Sequence, residues 1–356
     1  MICALFLATL PDPQGASEIS RPGLDAAARG LEWLAAQQRP DGSWAADVGF
    51  KLEEGYRVWN PGAGHVGVTA LAGMAFLAGG HVPGRGPYAD VVERATNWIL
   101  GQVRDDGYIT ANETRMYSHA FATLFLAEIH GMDPREEVRP ILQKAVDLIV
   151  AGQNAQGGWR YQPHVADSDM SVAACQVMAL RAARNIGVQV PMGTVDAAIR
   201  YVRDSAVRDS NFDNHRRPNP AGSFRYQPDP FARSSFALTA AGITILHNSG
   251  LYADEDIDKG MEVLEESHQG FDAKYGIRLR GHYYFWYGHY YAVQAFHMAG
   301  GARFRDYLKK VETTLLALPF DDGSWPNEVG PGRAYGTATA CLILQIPMEY
   351  LPIFQR

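Results

Sequence analysis

The sequence predicts an all-α fold, an (α/α)6 toroid built from six outer and inner helix pairs. Three observations point to it. Apolar residues recur at helical spacing in paired segments along the whole chain. A glycine-containing turn that ends on an aromatic residue separates the two members of most pairs. The first member of each pair keeps a polar face, whereas the second is apolar nearly all round, the mark of an outer and a buried helix respectively.

Leu31–Gln38 opens the series and breaks at Arg39-Pro40-Asp41-Gly42-Ser43-Trp44. Ala95–Gln102 breaks at Asp105-Asp106-Gly107-Tyr108, and Ala145–Gln153 at Gly157-Gly158-Trp159. Ala197–Val207 runs into a longer loop closed by Gly222-Ser223-Phe224, and Val311–Leu318 breaks at Asp321-Asp322-Gly323-Ser324-Trp325. The apolar partners are Gly67–Leu77, Ser118–His130, Asp169–Ile186, Ser234–His247, Tyr287–Met298 and Thr337–Ile346. The fifth unit, Ile257–Ala299, keeps both helices without the glycine–aromatic turn. Trp159-Arg160-Tyr161-Gln162-Pro163 recurs as Phe224-Arg225-Tyr226-Gln227-Pro228, so the units are copies. No stretch shows a convincing strand alternation. An open solenoid needs polar caps at its ends, but the last inner helix is as apolar as the others. The prediction is therefore a closed ring over residues 23–356, preceded by a tail over 1–22.

Composition narrows the function. Hydrophobic residues make up 47% and charged residues 20% of the chain, which suits a substantial core. A formal charge of −7 and the lack of a basic stripe argue against nucleic acid as a partner. Cys3, Cys175 and Cys341 are too few and too far apart for a disulfide framework or a zinc site, so no metal and no cofactor are expected. The longest apolar run, Val66–Gly80, is shorter than the roughly 20 residues of a membrane span, which leaves at most peripheral membrane contact. The first residues have the apolar length of an export signal but lack its basic start, so the compartment stays open.

Gly157–Leu180 is the most unusual stretch. Its glycine turn ends on Trp159, and Asp167 and Asp169 then open an apolar helix. Acids at a helix start are favoured by the exposed amides and the positive dipole end, so capping alone accounts for one of them. Among the six units, this inner helix alone starts with two carboxylates.

These residues resemble a known family. Gln38 to Trp44 and Gln153 to Trp159 both fit Q-x3-G-x-W, the QW repeat of squalene and oxidosqualene cyclases and protein prenyltransferases, and the turns at Gly107 and Gly323 are degenerate copies. The run from Gly157 through Asp167-Ser168-Asp169-Met170-Ser171 is similar to the GGW…D-x-D-D-T-A segment of class II terpene cyclases. The resemblance implies Asp169 as the proton donor, Asp167 as its companion and a hydrophobic polyene or isoprenoid ligand. Met170 stands where that family has a third aspartate, and Ser171 where it has threonine. Two other branches fit less well, because the chain has neither the Asp-x-Cys zinc element of a prenyltransferase nor a Gly-Cys-Gly-Glu-Gln thioester run.

Protonating an alkene needs a carboxylic acid that keeps its proton. Two carboxylates sharing one apolar site push one of them up from its usual value near 3.9. The resulting cation needs aromatic faces and no water. His282–Tyr291 supplies such faces, and Tyr287, Tyr290 and Tyr291, then Trp286, are the first candidates; Trp159 and Tyr161 join them from the turn. His65, His119, Arg233 and Tyr335 stand at other inner-helix starts, which share one end of a ring. There His119 or His65 would orient the acid, and Arg233 would hold an anionic head group. Arg160 and Arg225, in matching turns, read as loop ties. Two alternatives remain at this point: a non-catalytic toroid that binds a lipid or protein in its cavity, and a carbohydrate-active toroid with two carboxylates.

Overall fold

We describe a computed structural model of the chain for residues 19–355, apart from 53, 268, 272 and 273. Its outer helices are α1 (Arg21–Gln37), α3 (Ala89–Leu100), α5 (Val138–Ala151), α7 (Met192–Ser205), α9 (Glu255–Glu266) and α11 (Gly301–Leu316). Its inner helices are α2 (Val66–Ala78), α4 (Met116–Met132), α6 (Met170–Asn185), α8 (Phe236–Asn248), α10 (Tyr283–Ala299) and α12 (Arg333–Gln345). The inner helices pack on one another in that order, and α12 returns to α2, which closes the ring. α1 packs on α12, so the two ends of the chain meet. The toroid expected from the sequence is the fold observed.

Burial explains the alternation. Every residue of α2 is buried, while α3 buries one stripe, Val91, Val92, Ala95, Thr96 and Ile99. Small residues let inner helices approach closely, as where Gly67 and Gly73 of α2 lie against Ser118 and Phe125 of α4.

The turns work as joints. In three of them an aspartate carboxylate accepts the amide two residues on, Asp41 from Ser43 (3.0 Å), Asp106 from Tyr108 (2.9 Å) and Asp322 from Ser324 (3.1 Å). The following aromatic drops into the core. Trp44, Trp159 and Trp325 are fully buried, and each Nε1 donates to the carbonyl ten residues earlier, on Leu34, Ile149 and Leu315. Gln153 Nε2 donates to the Gly157 carbonyl and to Thr194 on α7, both at 2.9 Å, and Gln38 makes the same pair of bonds to Gly42 and Val91. Gly157 (φ +93°) has no room for a Cβ because it rests on the Ala197 carbonyl of α7. Gly323 (φ +86°) rests likewise on Arg29 of α1, so the last turn docks on the first helix. The glutamine and glycine of these turns are thus a device that joins each turn to the next outer helix.

The expectation of no strands needs correction. β1 (Ala45–Lys51) and β2 (Tyr56–Gly64) form an antiparallel hairpin between α1 and α2, and a two-residue pair, β3 (Asn211–Phe212) and β4 (Pro218–Asn219), lies in the long loop before α8. The register shifts on either side of Val48, and such bulges break the period-two pattern by which a strand is read.

Cys175 and Cys341 are buried core residues. The export-signal expectation and Cys3 lie outside the described residues. Among the described residues, no helix is long and apolar enough to cross a membrane, and no cluster of three His, Cys, Asp or Glu side chains is placed to hold a metal.

The opposite end of the ring is plugged by the C-terminal segment, whose Ile353 amide donates to Glu128 of α4 (3.3 Å). Burial pushes the Glu128 carboxyl up to about 8, against the Ile353 amide and Arg181, which favour its charged form. Because the folded value lies above the ordinary 4.5, this contribution to stability is complete below about 4.5 and is lost as the pH rises through about 8. The urea midpoint of the wild type is expected to fall across that window relative to Glu128→Gln. Parallel profiles for the two proteins would show that Glu128 keeps no proton.

Candidate functional site

All six inner helices begin at the same end of the ring, and their first turns wall one cavity of about 180 Å³, with the β1–β2 hairpin forming one side. Six of the expected residues line it: His65, Tyr161, Arg233, Tyr287, Tyr290 and Tyr335. The Tyr290 hydroxyl is buried with no hydrogen-bond partner among the described residues. The Arg233 guanidinium donates to the Tyr284 hydroxyl (3.0 Å) and stands over the Tyr226 and Tyr284 rings.

Four expected residues stand behind the wall. Trp159 is spent in the turn joint described above. Trp286 is fully buried and donates to the Pro326 carbonyl (3.0 Å). Tyr291 packs behind Tyr287 and Tyr290, with ring centroids 4.7 and 5.1 Å away. His119 accepts the Ile109 amide on Nδ1 and meets the Ala145 carbonyl with Nε2, both at 3.1 Å, which spends both ring nitrogens on backbone. It therefore neither reaches nor orients Asp169. His65 caps α2 by accepting the Val68 amide. Burial brings both histidines down to about 4, so they are neutral at pH 7.

The aspartate pair is arranged differently from the expectation. Asp169 is the N-cap of α6 and fully buried. One oxygen accepts from the Val172 amide (2.9 Å) and the Ser171 hydroxyl (2.5 Å); the other accepts from Arg160 (2.8 Å) and the Tyr226 hydroxyl (2.9 Å). Four donors converge on an acceptor-only carboxylate. Asp167 has a side chain 53% exposed, and Arg160 Nε lies 3.1 Å from it. A guanidinium thus bridges the two carboxylates, one exposed and one buried, and they do not share one apolar site. Arg160 is consequently more than a loop tie, while Arg225, which donates to the Ala206 carbonyl (2.9 Å), is one. Met170 is fully buried in apolar surroundings at the position of the resembled third aspartate.

A hydroxyl network separates Asp169 from the cavity. Ser171 and Tyr226 line the wall and bond the carboxylate. Tyr161 bonds Tyr226 (2.8 Å), Tyr117 bonds Ser171 (2.6 Å), and Lys51 of the hairpin donates to Tyr117 (3.2 Å) and Ser171 (3.1 Å). Arg115 stacks on Trp59 at 4.3 Å and also faces the cavity. Sequence reasoning passed over Lys51, Arg115, Tyr117 and Tyr226 as site residues. For Tyr226 a signal existed, since it occupies the position of Tyr161 in the duplicated pentapeptide. Lys51 had none, because the hairpin itself was unforeseen.

No family model matches this sequence, and no curated protein sequence matches it. The fold does have solved neighbours. The type II terpene cyclase MstE from Scytonema matches with a TM-score of 0.57 and 14% identity over 94% of this chain and 100% of its own. An α-1,6-mannanase of Salegentibacter matches at 0.60 and 9%, covering 91% and 98% of the two chains. Cellobiose 2-epimerase of Spirochaeta thermophila matches at 0.59 and 15%, covering 92% and 98%. The chain shares the α/α-toroid architecture of these enzymes. At such identities the likeness establishes the fold, and one fold serves unrelated reactions.

Proposed function

We propose that this protein is a terpenoid-cyclase-like toroid that takes an isoprenoid-type chain into its central cavity. The wall carries this reading. Apolar side chains such as Val68, Leu71, Phe121 and Leu238 alternate with tyrosine faces, and one polar end gathers around Tyr226. A cavity of about 180 Å³ is close to the ~150 Å³ that takes a benzene-sized guest and below the ~300–1,000 Å³ of a drug-sized site. It fits a short isoprenoid segment, and a longer polyene requires the hairpin to swing aside. Arg115 and Arg233, with no carboxylate in ion-pair range among the described residues, suit an anionic head group.

Cyclisation is the reaction that this environment favours. Tyrosine faces stabilise a carbocation by about 0.5–2 kcal/mol each when desolvated. Asp169 is the candidate acid, one hydroxyl behind the wall. In the arrangement seen both of its oxygens are engaged, so proton donation to a ligand requires Arg160 and Tyr226 to release one of them. Tyr226 lines the cavity, and a seated ligand would displace that contact. The MstE chain is matched along its full length by this single ring, so the toroid alone spans a type II cyclase.

The four donors on Asp169 favour a second reading, a binding toroid without chemistry. The wall speaks against the carbohydrate reading, because Glu113 is the one carboxylate on it among the described residues, whereas glycoside hydrolysis uses two.

Incubation with squalene and with geranylgeranyl diphosphate, followed by mass spectrometry, separates these readings. Cyclised product is expected from the wild type and not from Asp169→Asn. Equal product from both removes Asp169 as the acid, and polyene retained unchanged by both supports the binding toroid.

A further inference from the structure

Lys51 is a wall residue that cyclisation does not use. Its ammonium is held by two hydroxyls, those of Tyr117 and Ser171, and stands over the rings of Tyr117 (5.7 Å) and Tyr226 (5.6 Å). No carboxylate lies within 4.0 Å of it among the described residues. Two guanidinium groups share the Tyr226 ring with it, Arg160 at 5.6 Å and Arg233 at 5.5 Å. Burial foremost, and then Arg233 and Arg160, bring Lys51 down to about 8, with Asp169 opposing. A lysine desolvated in an apolar pocket beside other cations is the setting in which an amine becomes a nucleophile toward carbonyl carbon.

We propose that the cavity captures short apolar aldehydes as an imine on Lys51 Nζ. The proposal rests on the reading of the cavity as a site for isoprenoid-type chains and adds a reactive group to it. The nitrogen lone pair attacks the aldehyde carbon, a C–N bond forms, and the carbonyl oxygen takes up a proton. The nitrogen gives up a first proton to leave a carbinolamine, and a second proton reaches the hydroxyl. The C–O bond then breaks as the nitrogen lone pair forms the C=N bond, and the oxygen leaves as water while the nitrogen releases its second proton. Amine and aldehyde become imine and water, with no oxidant or reductant. Tyr117 and Ser171 lie within hydrogen-bond reach of Nζ to pass these protons, and Ser171 hands on to Asp169 at 2.5 Å. Asp169, behind Ser171, is also the carboxylate that would balance a protonated imine.

Citral and geraniol make the test, since they share a carbon skeleton and differ in the aldehyde. The intact protein is treated with citral and cyanoborohydride at pH 7 and mapped by peptide mass spectrometry. In parallel, geraniol is titrated against a bound fluorescent apolar probe. The expected result is one adduct per chain, heavier by citral less its oxygen, on the Lys51 peptide. Labelling there should exceed that of surface lysines such as Lys144 roughly tenfold or more, because more of the Lys51 amine is neutral at pH 7. Excess geraniol should block it, and Lys51→Arg should lose it. Geraniol displacement with Lys51 labelled no more than Lys144 overturns the proposal and leaves the cavity reading standing. Failure of geraniol to displace the probe, with Lys51 unlabelled, overturns both.

Discussion

Asp169→Ala is expected to destabilise the fold by about 3 kcal/mol, the lower end of the ~3–5 kcal/mol typical when one partner of a buried ion pair is removed. The carboxylate is wholly buried and satisfies the Val172 amide, the Ser171 and Tyr226 hydroxyls and Arg160. Alanine leaves all four donors without this acceptor, and unmet buried donors carry their full desolvation cost. The lower end applies because the Arg160 side chain is 22% exposed and keeps Asp167. Asp169→Asn should cost less, since its amide oxygen can still cap α6. Urea unfolding of the three proteins measures this. A wild-type midpoint for the alanine variant would free Asp169 from any structural role and leave chemistry as its reason for being buried. The ordering also matters for assays, because a lost product in the alanine variant reports a damaged fold, whereas the asparagine variant reports the acid.

The second large effect is expected for Trp159→Ala, at about 3–5 kcal/mol, the usual range for deleting a large buried aromatic side chain. Trp159 has no exposed surface, and its Nε1 donates to Ile149 at 2.7 Å. It fills the joint between α5 and α6 and does not touch the cavity. Binding of an apolar probe per folded molecule should therefore be unchanged, while the unfolding midpoint drops. Tyr161→Phe should do the reverse, because Tyr161 lines the cavity and bonds Tyr226 there. A stable Trp159→Ala protein that no longer binds the probe would return Trp159 to the site.

The two residues show where sequence reasoning succeeded and where it did not. Trp159 was legible as part of a repeated turn, and the same repetition that announces the ring also marks its tryptophans as joints. Taking it as a binding residue overlooked that Trp44 and Trp325 make the same bond. The two histidines divided in the same way. His119 stands at an inner-helix start, as expected, but spends both ring nitrogens on the backbone of the preceding turn and of α5, whereas His65 caps α2 through Nδ1 and still lines the cavity. The aromatic run from His282 to Tyr291 divided by helical geometry: Tyr287 and Tyr290 face the cavity, while Trp286 and Tyr291 turn away from it.

By itself, the sequence determined the ring. Period, repeat length and the glycine–aromatic turns are local properties, each written within a few residues, and six copies of one local solution can close only by packing on one another. It also determined that the inner-helix starts gather at one end, since alternation of direction follows from the alternation of helices. What only the tertiary structure decided is the chemistry at that end. Arg160 lies between Asp167 and Asp169, turning an expected pair of mutually opposed carboxylates into a bridged one. Lys51 arrives from a hairpin whose irregular register hides it from pattern, and meets Ser171 across 120 residues of chain. Charges act through space at distances of a few ångströms, and sequence separation carries no information about which of them meet.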